Sequence, residues 1–209
     1  ANASTKINGP ITINADNTVT VSFGGAEMGQ GIMTGLAQCA AEELMVDWSQ
    51  VRTAAAPWSE TYITGGSYGV RANMQAMRLA GAKARDMLKT AAAARWGVDV
   101  STVTVTSGVI KNAANATLTY ADVASDAALL TAPASPTLTD PANFRIIGTR
   151  AKRTDLPSKV DGSAVFGLDV QVPGMVYAAV RMSPVIGGTL TTLPAKPATA
   201  MAVLNLGNA

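Results

Sequence analysis

An α+β fold is predicted by three features of the 209-residue chain. Apolar residues alternate with polar ones from Ile11 to Phe23 about the turn Asp16-Asn17, which marks a hairpin. Apolar residues then recur at three- and four-residue spacing over about 30–46 and again over 70–95, which marks two helices. A second alternating pair, Val103 and Val105 against Val109-Ile110, flanks Ser107-Gly108 and adds another hairpin.

Each element has its own justification. Ile11, Ile13, Val19, Val21 and Phe23 give the first hairpin one apolar face, with threonines and asparagines between them. Ile32, Met33, Leu36, Ala40 and Leu44 form the stripe of the first helix, and a strand is expected from Val51 to Ala55. In the second helix Met74, Met77, Gly81, Ala84, Leu88 and Ala91 share a face, and Gly97 stands where a helix ends in a left-handed residue. Thr119 is the expected cap of a short helix over 120–130. Pro133, Pro136 and Pro141 discourage regular structure over 131–143, which reads as a linker. Beyond it, 164–170 and 175–182 read as strands separated by the turn Pro173-Gly174.

Composition excludes several classes of function. The content of 48% hydrophobic residues is that of a globular chain, and a net charge of +2 gives no nucleic-acid surface. Arg71, Arg78, Lys83, Arg85, Asp86 and Lys89 make the alanine-rich second helix unsuited to a bilayer. One cysteine leaves no internal disulfide, and the absence of histidine removes the commonest catalytic base and metal ligand. Zinc sites and nucleophilic triads are therefore set aside, and Cys39, inside the first helix, is expected to pack in the core.

The feature with chemistry in it is Gly24-Gly25-Ala26-Glu27-Met28-Gly29-Gln30-Gly31-Ile32, which runs from a strand through a glycine-rich turn into a helix. Such a junction offers positive-φ backbone, free N–H groups and the positive end of a helix dipole, and suits an anionic or hydrogen-bonding ligand. It is not a P-loop, because no lysine and Ser or Thr follow its last glycine. It is a poor dinucleotide fingerprint, because Thr34 stands where the third glycine belongs. Taken alone, a glycine cluster of this size is more often a capped corner than a ligand site.

Other blocks change that balance. Glu27-Met28-Gly29-Gln30-Gly31, Thr34-Gly35-Leu36 and Ala41-Glu42-Glu43-Leu44 are followed by Thr64-Gly65-Gly66-Ser67-Tyr68-Gly69-Val70-Arg71 and by Ala80-Gly81-Ala82-Lys83-Ala84-Arg85 leading to Trp96-Gly97-Val98. A long run then contains Ile147-Gly148, Arg153, Asp155, Pro157, Lys159-Val160, Gly162, Phe166-Gly167, Asp169-Val170 and Pro173-Gly174-Met175-Val176-Tyr177-Ala178. In this order the blocks resemble the large subunit of the xanthine dehydrogenase and aldehyde oxidase family of molybdenum hydroxylases. The likeness is to the branch with isoquinoline 1-oxidoreductase and the membrane-associated aldehyde dehydrogenases.

The resemblance implies part of a molybdopterin-binding domain over 1–130, a linker over 131–147 and the start of an α/β hammerhead domain over 148–209. It implies cofactor contacts from Met28, Gly29, Gln30 and Gly31, and from Thr64, Gly65, Gly66, Ser67, Tyr68 and Gly69. Gln30 would meet a pterin edge through its amide and Ser67 would donate through its hydroxyl. Tyr68 is either a pocket wall or a packing aromatic, and Arg71 either a phosphate contact or a solvated charge. Glu27 matches the cofactor motif and not the family's catalytic base, so it is read as a loop anchor; no catalytic residue and no metal ligand is expected in this chain.

The implied cofactor is molybdopterin with molybdenum, in its cytosine dinucleotide form, with iron–sulfur clusters on a partner subunit. The implied partners are the remainder of the catalytic subunit or a companion chain, an iron–sulfur subunit, a cytochrome c subunit, and an aldehyde or N-heterocycle as substrate. A start at Ala1 without methionine, together with export of relatives through a twin-arginine leader, gives an expected periplasmic location, with membrane attachment through partners. Two other readings stay open at this point: a stand-alone dinucleotide-binding protein and a non-enzymatic secreted binding module.

Overall fold

A computed structural model describes residues 3–57 and 64–207. The chain divides into two units, Ala1–Ala164 and Val165–Ala209. The first unit begins with strands β1 (Thr5–Lys6), β2 (Ile11–Ile13) and β3 (Val19–Phe23), followed by helix α1 (Ile32–Leu44) and strand β4 (Val51–Ala55). These strands form one sheet in the order β1-β2-β3-β4, antiparallel except for the parallel pair β3 and β4. The parallel pairing follows from α1, which carries the chain back across the sheet before β4 begins. Period-two alternation survives intact, since Ile11 pairs with Val21 and Ile13 with Val19, and all four are buried. Each fully buried aliphatic side chain of this kind stabilises the fold by about 1.5–3 kcal/mol.

Helix α2 (Gly69–Trp96) lies along α1. Its contact is close because Gly81 has no side chain: a Cβ there would stand 2.5 Å from the carbonyl oxygen of Ala40. The helix ends at Gly97, whose φ of 65° lets the last carbonyls, of Ala93 and Ala94, accept bonds from the following N–H groups. A three-stranded antiparallel meander follows, β5 (Thr104–Thr106), β6 (Val109–Lys111) and β7 (Thr117–Thr119). Helix α3 (Tyr120–Ala127) is capped by Thr119, whose hydroxyl accepts from the N–H of Asp122 while the Asp122 carboxylate accepts from that of Thr119. It stops three residues short of the expected 130, its last carbonyls being met by turn bonds from Leu129 and Leu130. Tyr120 is fully buried and donates to the carbonyl of Leu44 at 2.6 Å, and burial pushes its phenol pKa up. Cys39 is buried, as expected, and its thiol is likewise pushed up by burial.

The stretch that reads as a linker lacks strands, as its prolines predict, but it is not loose. Two adjacent glutamates of α1 hold it. Glu42 accepts the N–H groups of Arg145, Ile146 and Ile147 at 2.7–3.0 Å. Glu43 accepts the N–H and hydroxyl of Thr139 at 2.9 and 3.0 Å and pairs with Arg78 at 2.7 Å and Arg85 at 3.7 Å. Both carboxylates are buried, and their hydrogen bonds stand in for the water they have lost. A short helix α4 (Leu156–Asp161) closes the unit.

The second unit differs from expectation. The sequence predicts strands over 164–170 and 175–182, but the described residues there form no strand and only a 3-10 turn at Gly167–Asp169. The turn at Pro173-Gly174 is present, with the N–H of Met175 on the carbonyl of Val172 at 3.0 Å. A strand needs a neighbour to take its backbone bonds, and among the described residues these two segments have none.

Candidate functional site

The glycine-rich junction lies between β3 and α1, and Glu27 organises it. Its Oε1 accepts the N–H groups of Gly29 at 2.8 Å and Gly31 at 3.0 Å, and its Oε2 accepts that of Met33 at 3.1 Å. Left-handed φ values of 97° at Gly29 and 81° at Gly31 turn those N–H groups inward. Burial of the carboxylate acts to raise its pKa, but the three N–H groups and the charge of Arg153 outweigh it, and the net shift is downward. The sequence suggests a helix end open to a ligand's anion; the structure fills it with the chain's own carboxylate, five residues upstream of the helix. Glu27 thus anchors the loop. Gln30 is also engaged locally: its Oε1 accepts the Met28 N–H at 2.6 Å and its Nε2 donates to the Ala26 carbonyl at 2.8 Å.

The second glycine loop meets the first. Thr64 Oγ1 accepts the N–H of Ala26 at 2.8 Å, a bond across 38 positions. Gly25 permits the approach, because a Cβ there would stand 3.0 Å from that hydroxyl. Gly66 and Ser67 both adopt φ of 58° and turn the chain into α2, whose Gly69 sits against Ile32; a Cβ at Gly69 would come within 2.5 Å of its Cδ1. Arg71 stacks over the Tyr68 ring at 4.1 Å, so its charge and that ring form one feature of the surface.

The structure therefore brings the two groups of predicted residues side by side. Met28, Gly29, Gln30, Gly65, Gly66, Ser67 and Tyr68 are exposed, while Gly31, Thr64 and Gly69 are half-buried at the junctions. A Cβ added at Gly29 or Gly65 would meet nothing within 4 Å, so both loops present bare backbone to open space. That arrangement leaves room for a flat ligand to lie close against the main chain.

A third segment completes the neighbourhood. Arg153 donates through Nε and Nη2 to the two oxygens of Asp155 at 2.9 and 2.7 Å, through Nη1 to the carbonyl of Gly29 at 2.8 Å, and through Nη2 to Glu27 at 3.3 Å. Lys159, one turn further on, also pairs with Asp155. Arg153 heads this pairing, and with Lys159 it holds the Asp155 carboxyl well below the usual carboxylate range against a lesser opposing effect of burial. Thr154 ties the same segment to α1 and β4: its N–H donates to Thr34 Oγ1 at 3.2 Å and its hydroxyl accepts from Thr53 at 2.9 Å. The sequence alone gives Arg153 no place in the site, because no local signal links it to a loop 124 positions earlier.

A family described as the molybdopterin cofactor-binding domain matches residues 2–173. The chain belongs to that family. Among relatives of this molybdopterin cofactor-binding domain is the beta chain of isoquinoline 1-oxidoreductase of Brevundimonas diminuta, 31% identical over 85% of this chain and 28% of its own length. A membrane-bound aldehyde dehydrogenase (pyrroloquinoline-quinone) of Gluconacetobacter polyoxogenes is 32% identical over 83% of this chain and 23% of its own. One of the subunits of nicotinate dehydrogenase of Pseudomonas putida is 29% identical over 85% of this chain and 15% of its own. The chain thus spans about a quarter or less of the length of these relatives. The match covers both glycine loops and the Arg153 segment, and the bare-backbone surface formed by the two loops leaves room for a flat ring system such as a molybdopterin would bring. Among the described residues no helix is long and apolar enough to cross a membrane.

Proposed function

We propose that this chain forms one wall of the molybdopterin site in a molybdenum-dependent oxidoreductase that oxidises aldehydes to carboxylic acids or hydroxylates N-heterocycles with water. The 2.8 Å bond from Ala26 to Thr64 carries the reading, because it holds Met28–Gly31 and Thr64–Gly69 against each other as one exposed surface. The names of the three relatives, one acting on an aldehyde and two on nitrogen heterocycles, support the substrate class.

In this reading bound molybdopterin supplies the redox chemistry, and the protein supplies placement. Gly29 and Gly65 let the ring approach the main chain. Met28 and Tyr68 flank it, and the Ser67 hydroxyl donates to it. Gln30 releases its loop partners to meet a pterin edge, or keeps them and offers only its backbone. Glu27 does not take part in proton transfer, since both its oxygens are committed to loop N–H groups. Molybdenum would be carried by the bound cofactor, with no side chain of this chain as its ligand.

The same reading includes the cytosine dinucleotide form of the cofactor, iron–sulfur and cytochrome c partners, a periplasmic location with membrane attachment through those partners, and no activity without the rest of the catalytic subunit. It also keeps the division into a cofactor-binding part to 130, a connection over 131–147 and the start of a hammerhead domain from 148.

Native mass spectrometry with metal analysis on the protein purified from its own cell tests the reading. Co-purifying chains with molybdenum, iron and organic phosphate are expected. A lone, folded, metal-free chain overturns it.

A further inference from the structure

We propose that Arg153 is a positioning residue that latches the first cofactor loop, an inference that rests on the molybdopterin reading above. The loop over 27–31 has little packing of its own: Met28, Gly29 and Gln30 are exposed, and Gly29 has an open surface in front of it. Its shape is fixed instead by polar contacts on its inner side. Glu27 gathers the N–H groups of Gly29, Gly31 and Met33, and Arg153 takes the remaining pieces, the carbonyl of Gly29 and an oxygen of Glu27.

The guanidinium can do this because its plane is set elsewhere. Asp155 grips Nε and Nη2 in a two-pronged pair, Lys159 also donates to the Asp155 Oδ2 that Nη2 meets, and Thr154 is bonded to Thr34 and Thr53 in α1 and β4. The remaining N–H groups then point at the loop in one direction only. A lysine cannot substitute, because a single ammonium cannot meet the paired oxygens of Asp155 and two atoms of the loop at once. The latch couples residues 27–31 to a segment more than a hundred positions away, so the loop's exposed backbone is pre-set before any ligand arrives.

The test uses the assembled enzyme from its own cell, as wild type, Arg153→Lys and Arg153→Gln. Amide exchange is followed in peptides covering 27–33 and, as an internal control, 82–93 of α2, with molybdenum per chain measured on the same samples. The latch predicts exchange over 27–33 faster by about tenfold in Arg153→Gln, a smaller rise in Arg153→Lys, unchanged exchange over 82–93, and lower molybdenum per chain in both variants. Unchanged exchange over 27–33, or an equal rise over 82–93, overturns the latch. Faster exchange with wild-type molybdenum overturns its role in cofactor placement. A wild type without molybdenum sinks the functional reading and the role with it, while the exchange data still decide whether Arg153 fixes the loop.

Discussion

Residues 3–164 and residues 165–207 have similar apolar character and opposite structural outcomes. In the first unit the apolar side chains of β2, β3, α1 and α2 form a common core, and bonds reach far along the sequence: Glu43 to Thr139 across 96 positions, Arg153 to Glu27 across 126. In the second, Phe166, Leu168, Tyr177, Met182, Ile186 and Leu204 are exposed, and the hydrogen bonds join residues two to four positions apart. Apolar alternation specifies a strand only where a second strand takes its backbone groups, and an apolar residue stabilises only where something covers it.

The largest separation between the two regions is expected in proteolysis of the 209-residue chain. Trypsin should cut after the exposed Arg181 at least about a hundredfold faster than after the buried Arg78 and Arg85, as read by peptide mass against time. Equal rates would erase the contrast. Next in size, Glu43→Ala leaves Arg78 buried without its carboxylate, while Arg85 keeps Asp86 at 3.0 Å, and should cost about 3–5 kcal/mol in denaturant unfolding. Gly81→Ala must push α2 away from the Ala40 carbonyl and should cost about 1–3 kcal/mol by the same measurement.

A smaller effect depends on acidity. The Glu27 pKa is lower in the folded chain than its ordinary 4.5, so its stabilisation is fully present above that value and is lost as pH falls through the folded one. Glu27→Gln should therefore flatten the loss of stability as pH falls below the ordinary value of 4.5 in urea titrations; an unaltered slope would remove Glu27 as the source. The smallest change belongs to Leu168→Ala, which uncovers nothing and should stay within about 0.5 kcal/mol of the parent.

How much of the structure is legible in the sequence depends on whether the cause is local. The first hairpin, both long helices, β4, the cap at Thr119 and the glycine at 97 are all legible, because period and capping chemistry act within a few residues. Strand β1 is not, since Thr5–Lys6 has only two residues and is defined by its pairing with Thr12 and Ile13. Strand β7 escapes for the same reason, with Thr117–Thr119 held by Val109–Lys111. Of the candidate site, the two glycine loops are legible as motifs, but their contact through Thr64 is not. Glu27 filling the helix end has a local signal, an acid two and four residues before positive-φ glycines. Arg153 has none, and neither does the pinning of 139–147 by Glu42 and Glu43, although two adjacent acids in an otherwise apolar helix stretch are a hint that partners have to exist.

Those two glutamates also set a timetable. Their partners, Thr139 and Arg145 to Ile147, are synthesised roughly a hundred residues later, about 5–20 s behind them at ordinary rates of translation. Until then Glu42 lacks all three of its amides, and Glu43 has only Arg78 and Arg85 of α2 to offset its dehydration. A nascent chain that stalled just short of residue 139 would be left with its longest helices made and its central joint unclosed.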